Sequence, residues 1–235
     1  MSIELEKIIT NCIRQALNQS EKTVFEKLCE CFHDWWNRPC SNMLELKKRT
    51  EKEKGTLFEV FCCMYLRHKG YTVWLLSECP TEVLSNLSLT KQDVGIDLIA
   101  KITTDATDCW FPIQCKYRSP NKITKSHTLG WKTVSTFLSL CSRTGPIVTE
   151  GKNPIRGWAK HIIMTNCKSV RWCGRKTPKD WTIAQTSFNK PNTIFWSSFL
   201  SSTIKIEKKE ETIAALPLSK EEIRQKRLEW LNKQK

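Results

Sequence analysis

Two neighbouring stretches decide the fold of this chain, VGIDLIAKI at residues 94–102 and WFPIQCKY at residues 110–117. Both have the β-branched and aromatic content that is typical of strands, and the turn-like TTDATD at 103–108 joins them. The two stretches therefore predict a β-hairpin. A further strand, YTVWLL at 71–76, is predicted ahead of them.

Helical patterns flank these strands along the chain. Apolar residues at helical spacing predict one helix over 54–68 and another over 128–141. HIIMTN at 161–166 is predicted as a short buried strand, and TIFWSSFL at 193–200 as a further strand. The order of helix, three strands, helix and strand is typical of an α/β domain.

Additional helices are predicted at both ends of the chain. Apolar spacing predicts two helices over 3–18 and 21–36, and Ser219 with Glu222 forms a capping box that opens a charged helix near the carboxyl terminus. We therefore divide the chain into three parts: an N-terminal helical extension (1–45), a central α/β domain (46–205), and a charged C-terminal tail with a helix (206–235).

The sequence excludes some classes of protein. The longest apolar run, Val60–Leu66, is far shorter than the roughly 20 residues that span a bilayer, so we expect no membrane partner. Glu4 and Glu6 stand where a signal peptide is positively charged and then apolar, so no cleaved targeting segment is expected.

The 12 cysteines are scattered and lie beside apolar residues, which predicts reduced core residues, no disulfide-linked partner, and an intracellular reducing compartment such as cytoplasm or nucleus.

Positive charge is concentrated in one window of the sequence. Residues 110–190 hold 15 lysines and arginines against two acids, Glu150 and Asp180, and so carry +13 of the net charge of +14. Basic residues attract phosphates, and interspersed aromatic rings offer stacking or packing surface. Five tryptophans lie in the window: Trp110, Trp131, Trp158, Trp172 and Trp181. Nucleic acid is therefore the leading partner, with a merely solubilising basic face as the alternative.

One constellation of polar residues lies within the predicted hairpin. Gln114 and Lys116 are two residues apart on one strand, so both side chains leave the same face of the sheet. Asp97 is the one charged residue between Val94 and Ala100, and a lone carboxylate in an apolar strand requires a reason. Strand pairing would bring Asp97 alongside Gln114 and Lys116, but the sequence leaves the register open.

These residue types suit the hydrolysis of a phosphodiester. That reaction needs a divalent metal to activate water and neutralise charge, with a cation near the attacking oxygen. Magnesium prefers hard oxygen ligands and keeps several waters. Asp97, the Gln114 carbonyl oxygen and the main-chain carbonyl of Cys115 would hold Mg²⁺ or Mn²⁺, and Lys116 would supply the cation. Glu59 is a second acid, close to a buried helix face.

Three motifs in this order resemble those of the PD-(D/E)XK restriction-endonuclease-like nuclease superfamily: GTLFEVF at 55–61, DVGIDLIA at 93–100 and PIQCKYR at 112–118. The resemblance is to the Mrr-like branch, which uses Gln-x-Lys, and it covers about residues 50–170. Similar domains occur beside helicases and in large DNA viruses. The resemblance implies a restriction-endonuclease-like core within 46–205, a mixed central β-sheet flanked by helices, with the N-terminal helical extension and the C-terminal helix attached.

The same resemblance implies roles for individual residues. Asp97 and Gln114 would be metal ligands, Lys116 would orient or activate the water, and Glu59 would add an acid to the metal site. Asp93 is the second-choice acid. The implied activity is that of a Mg²⁺-dependent DNA endonuclease that binds the DNA backbone through its basic window. Five residues are candidate DNA contacts: Lys122, Lys125, Lys132, Ser135 and Thr136.

Other hypotheses stay open. Glutamine in place of glutamate lowers the negative charge of the site and its metal affinity, so a weak or inactive nuclease fold that binds nucleic acid or assembles with proteins is the alternative. A structure-selective junction resolvase would require a homodimer, and a helicase or other protein partner is equally open. Single residues also have structural alternatives: Asp97 as a cap or a lysine partner, Glu59 on a solvated helix edge, and Lys116 as one more phosphate contact.

Overall fold

The computed structural model describes residues 2–18, 21–40, 42, 51–92, 95–104, 108–119, 127–150, 153–172 and 179–201. Its helices are α1 (Ser2–Leu17), α2 (Val24–Trp36), α3 (Glu51–His68), α4 (Thr81–Asn86), α5 (Ser135–Cys141) and α6 (Gln185–Phe188), followed by a helical stretch at 193–201. Its strands are β1 (Thr72–Leu75), β2 (Leu98–Thr103), β3 (Asp108–Lys116), β4 (Thr128–Gly130), β5 (Ile147–Glu150), β6 (Asn153–Arg156), β7 (His161–Thr165), β8 (Ser169–Arg171) and β9 (Asp180–Ile183).

Five of these strands form a mixed central sheet in the order β1-β2-β3-β7-β9. β1, β2 and β3 pair antiparallel, so the predicted β2–β3 hairpin is present, whereas β7 is parallel to β3 and β9 is parallel to β7. The carboxyl ends of β3, β7 and β9 therefore meet at one edge of the sheet, together with the amino end of β2. We call this the carboxyl edge. The α/β fold with a mixed sheet flanked by helices is confirmed.

Both predicted amino-terminal helices are present, and they pack into the core of the fold. Ile9 of α1 and Phe25 of α2 are fully buried in the apolar cluster that contains Phe61 of α3. Thr23 begins α2 with a capping box: its hydroxyl accepts the N–H of Glu26, and the Glu26 carboxylate accepts the N–H of Thr23. Helices α1, α2 and α3 thus cover one face of the sheet.

Side chains alternate between the two faces along β3. Ile113 and Cys115 belong to the apolar cluster shared with α1, α2 and α3. Gln114 pairs in register with Ile163 of β7, which belongs to a second apolar cluster together with Phe137 of α5. Because side chains alternate in a strand, the polar residues of the predicted site leave the sheet on the α5 side.

The helix predicted over 128–141 is correct only in its second half. Residues Thr128–Gly130 form β4, a one-turn 3₁₀ helix follows at Trp131–Thr133, and α5 begins at Ser135. Pairing of β4 with β8 supplies hydrogen-bond partners for the backbone of residues 128–130. A glycine at position 130 also disfavours helix there.

The strand predicted at 193–200 is wrong, because this segment is helical. The Asn192 side-chain oxygen accepts the N–H of Phe195 at 3.0 Å, which is a helix N-cap. Trp196 and Phe199 are then three residues apart and are both buried, with Trp196 stacked on Phe61 at a ring-centroid distance of 6.4 Å. The aromatic content suited a strand, but the spacing buries these rings on one helical face.

The chain divides into two compact units, Met1–Phe199 and Leu200–Lys235. Helices α1 to α6 and all nine strands named above belong to the first unit. The helix predicted from Ser219 onward lies outside the described residues. Among the described helices, none combines the length and the apolar character that crossing a membrane requires.

Candidate active site

Asp97 stands just beyond the last regular pair of β2 and β3. Its N–H donates to the carbonyl oxygen of Ile113 at 2.9 Å, and its Oδ2 accepts the N–H of Cys115 at 2.6 Å. The residue is buried. The carboxylate therefore lies against the backbone of β3 between Gln114 and Lys116. The alternative role of Asp97 as a cap is therefore present, because its carboxylate accepts a backbone N–H. The same hydrogen bond brings Asp97 to the strand segment that carries Gln114 and Lys116.

Gln114 carries an unsatisfied polar atom. The residue is 2% exposed, and its Oε1 is buried without a hydrogen-bond partner in the part of the chain that the structure describes. A buried acceptor left unpaired costs about 1–3 kcal/mol. The amide oxygen of Gln114, the residue before the Cys115 N–H that donates to Asp97, therefore marks a position where a ligand would supply the missing interaction.

Lys116 is the last residue of β3 and is half-buried. Its carbonyl accepts the Thr165 hydroxyl at 2.7 Å, which ties the end of β3 to the end of β7. Its ammonium forms no ion pair with any carboxylate among the described residues. With Gln114 two residues earlier, Lys116 presents an uncompensated positive charge on the same face as the unpaired amide oxygen.

Glu59 lies on α3, half-buried, and its negative charge acts on the Cys115 thiol. Burial raises the pKa of Cys115 well above its ordinary value, and a hydrogen bond with Cys62 and the charges of Asp97 and Glu59 act in the same direction. Both carboxylates thus lie near Cys115. This thiol stays protonated at neutral pH and serves as a packed core group.

Gly95 allows the first turn of α5 to approach the site. Its φ is +100°, and a Cβ built there would lie 3.3 Å from the backbone nitrogen of Phe137 and 3.6 Å from Nε2 of Gln114. The predicted contacts Ser135 and Thr136 are in this first turn of α5, and the Ser135 hydroxyl donates to the Lys132 carbonyl at 3.1 Å. The structure thus brings three of the five candidate DNA contacts to the segment that packs over Gln114.

Gly95→Ala is expected to destabilise the protein by about 1–3 kcal/mol, because a side chain at positive φ is strained and the new Cβ would meet backbone atoms that cannot easily move. Urea unfolding measures the change. Gly130→Ala is the matched control, since Gly130 has negative φ and no atom within 4 Å of a built Cβ. Equal unfolding midpoints for the two variants would contradict this role of Gly95.

Two polar residues at the end of β7, Thr165 and Asn166, organise the site, and neither was predicted from the sequence. The Asn166 side chain accepts the N–H of Arg118 and donates to its carbonyl, both at 2.8 Å, and Thr165 bonds the Lys116 carbonyl. These contacts hold the chain as it leaves β3. The signal was present in HIIMTN, where polar residues end a buried strand, because polar residues after parallel strands gather at one edge of the sheet.

Other predicted residues are placed differently. Asp93, Lys122 and Lys125 lie outside the described residues. The described basic residues do not form one face: Lys116, Arg118 and Lys168 lie at the carboxyl ends of β3 and β7, whereas Arg156, Lys160 and Lys179 lie next to the amino ends of β7 and β9. Of these six residues only the first three adjoin the candidate site, and Lys132 lies on the segment that leads into α5, so the described basic residues of the window are spread over both ends of the sheet.

The donor set at the carboxyl edge suits a small, hard divalent cation. Asp97 offers a carboxylate oxygen and Gln114 an unpaired amide oxygen, and both are the oxygen ligands that Mg²⁺ prefers. No group of three or more His, Cys, Asp and Glu side chains with metal-binding geometry occurs among the described residues. Oxygen donors of this kind are typical of Mg²⁺ sites, whereas structural Zn²⁺ sites are built mainly from cysteine and histidine.

Comparison with known families gives an independent result. A family model described as restriction endonuclease matches residues 65–171, which include Asp97, Gln114 and Lys116. No curated protein and no solved structure matches the chain.

Proposed function

We propose that this chain, whose residues 65–171 belong to the Mrr-like restriction endonucleases of the PD-(D/E)XK superfamily, is a Mg²⁺-dependent DNA endonuclease. The single observation that carries this proposal is the buried Oε1 of Gln114, which has no hydrogen-bond partner among the described residues and lies on the strand segment whose Cys115 N–H donates to Asp97 and whose last residue is Lys116. A nuclease domain supports DNA as substrate.

Each residue of the site has a distinct task in the proposed reaction. Asp97 and Gln114, with the Cys115 carbonyl, would hold the metal ion, and Glu59 would add negative charge nearby. When bound, the ion supplies electrophilic stabilisation of the phosphate and lowers the pKa of a coordinated water. Lys116 donates hydrogen bonds from Nζ to the attacking water and a phosphate oxygen, and its charge opposes the negative charge that builds up as the new P–O bond forms and the old one breaks.

Rigid support for these groups follows from their contacts. Asp97 is held by the N–H of Cys115, and the end of β3 is held by Thr165 and Asn166. The Asp97 carboxylate and the backbone that carries Lys116 are thus positioned before the reaction begins, which lowers the cost of reorganisation during catalysis.

Incubation of the purified protein with supercoiled DNA tests the proposal directly. Nicked and linear products are expected with Mg²⁺ or Mn²⁺, and none with EDTA. A chain that bound DNA but gave no product with either metal would favour the second candidate, a binding protein that keeps the nuclease fold. The neutral Gln114 in place of an acid is the observation behind that candidate, because it weakens the attraction for a metal ion.

Binding of DNA is expected to weaken steeply with salt. Lysines that touch phosphates release bound cations, so about four such contacts lower affinity roughly a hundredfold between about 50 and 200 mM salt. Lys122→Glu combined with Lys125→Glu should flatten this dependence for every duplex. Fluorescence anisotropy in EDTA measures the DNA affinity at each salt concentration. Lys160→Glu combined with Lys179→Glu, at the other end of the sheet, is the matched control. An affinity that does not change with salt would contradict backbone-directed binding.

A further inference from the structure

The five tryptophans of the basic window occupy different environments. Trp158 is 2% exposed and belongs to the core. Trp110 stacks on Trp74, with ring centroids 6.2 Å apart. Trp131 and Trp172 form a separate pair, 6.1 Å between ring centroids at 51°, and both are half-buried on the second apolar cluster. We call this pair the tryptophan platform.

β4 and β8 form a separate two-stranded sheet that begins near the carboxyl edge, where the N–H of Lys168 donates to the carbonyl of His127 at 2.8 Å. β4 and β8 are parallel and their last pair is Gly130 with Arg171, so Trp131 and Trp172 follow at the same end. Lys132 follows Trp131 and Arg171 precedes Trp172 in the sequence; both are exposed, and neither forms an ion pair with another described residue.

The platform also lies in an acid-free part of the sequence. Between Asp108 and Glu150, and again between Glu150 and Asp180, the chain has no acidic residue. Two rings, two exposed cations and no acid on the same segments are the features of a surface that binds nucleic acid by stacking and phosphate attraction.

The platform is close to the candidate site along the chain. From Trp131 a 3₁₀ turn and the first turn of α5 lead to Phe137, whose backbone nitrogen approaches Gly95 next to the Gln114 amide. Six residues at about 1.5–2.0 Å of rise each span about 9–12 Å. That is the length of about three or four nucleotides at 3.4 Å per nucleotide.

We propose that the tryptophan platform stacks unpaired bases about three or four nucleotides from the scissile phosphate, so that the substrate is DNA with a single-stranded segment beside a duplex. This inference rests on the proposed nuclease function, because the distance to the platform is counted from the phosphate that the nuclease would cleave. Paired bases within a duplex hide their faces, whereas every unpaired base offers a face to an aromatic ring, so the platform selects structure and tolerates any sequence.

Binding of a blunt duplex and of the same duplex with a short single-stranded tail, measured in EDTA, tests the inference. Wild-type protein should bind the tailed DNA roughly tenfold more tightly, since stacking of a base on an aromatic side chain gives about this factor or more. Trp131→Leu and Trp172→Leu should abolish the gain and leave blunt-duplex affinity unchanged. Quenching of tryptophan fluorescence by the tail should decrease in the same variants.

Trp181→Leu is the matched control. Trp181 is 40% exposed and has Lys160 Nζ 5.1 Å from its ring centre, but it lies near the amino end of β9, away from the carboxyl edge. This variant should keep the full preference for tailed DNA. Trp131 and Trp172 also pack on the core, so a second variant separates stacking from stability. Trp131→Phe keeps an aromatic ring and should keep part of the preference that Trp131→Leu loses. Equal melting temperatures of the two variants show that the difference does not come from stability.

Two results would overturn the inference: equal affinity of wild-type protein for blunt and tailed DNA, or Leu variants that are folded and keep the preference. Binding in EDTA does not depend on cleavage, so the two proposals fail separately. A protein that cleaves DNA without preferring tails refutes the platform alone. A protein that prefers tails through Trp131 and Trp172 but never cleaves refutes the nuclease and keeps the stacking site.

Discussion

Lys116→Ala is expected to slow DNA cleavage by at least roughly a hundredfold, because it removes the charge that opposes the negative charge of the transition state. The fold should survive, since Lys116 contributes to packing through its carbonyl, which accepts the Thr165 hydroxyl whatever the side chain. Most of the DNA affinity should also remain. Nicking of supercoiled DNA under Mg²⁺ measures the rate, and anisotropy in EDTA measures the affinity.

Lys101→Ala provides the matched control for this variant. Lys101 pairs with Asp108 at 3.0 Å near the end of the sheet opposite Lys116, so its loss removes one positive charge without touching the site. It should leave the nicking rate within about twofold of wild type, as expected for an exposed pair of small energetic weight. Equal rates for wild type and Lys116→Ala would show that Lys116 is only one more phosphate contact.

Asp97→Asn is expected to abolish cleavage without unfolding the protein. Asparagine keeps an oxygen that accepts the Cys115 N–H but lacks the negative charge that attracts the metal ion. DNA affinity in EDTA should be equal or slightly tighter, because a negative charge near the phosphates is gone. A nicking rate like that of wild type would limit Asp97 to its capping role.

Asp97→Ala separates the two roles of this carboxylate. Alanine leaves the buried N–H of Cys115 without its side-chain acceptor, so unfolding free energy should fall by about 1–3 kcal/mol in addition to the loss of cleavage. Urea unfolding of the Asn and Ala variants side by side measures the difference. Equal stability of the two variants would contradict the structural contribution of the 2.6 Å hydrogen bond.

Local patterns predicted most of the elements that carry the site. The hairpin over 94–117 follows from strand composition on both sides of a turn, and the α3 helix from its apolar stripe. The segment 193–200 was mispredicted because its aromatic residues suit a strand and a helix equally, and the Asn192 cap together with burial of Trp196 decides between them. The start of α5 was misplaced because pairing with β8, a long-range contact, makes residues 128–130 a strand.

The amino-acid sequence by itself determined that Gln114 and Lys116 share one face, because side chains alternate with a period of two along any strand. It also determined the excess of positive charge around them. Only the tertiary structure decided that Asp97 accepts a hydrogen bond from the backbone between them, that the Gln114 oxygen finds no partner among the described residues, and that Trp131 meets Trp172. The two side-chain contacts join residues that are 18 and 41 positions apart. Their geometry depends on strand register and on how the sheet is covered, and no short stretch of sequence specifies either.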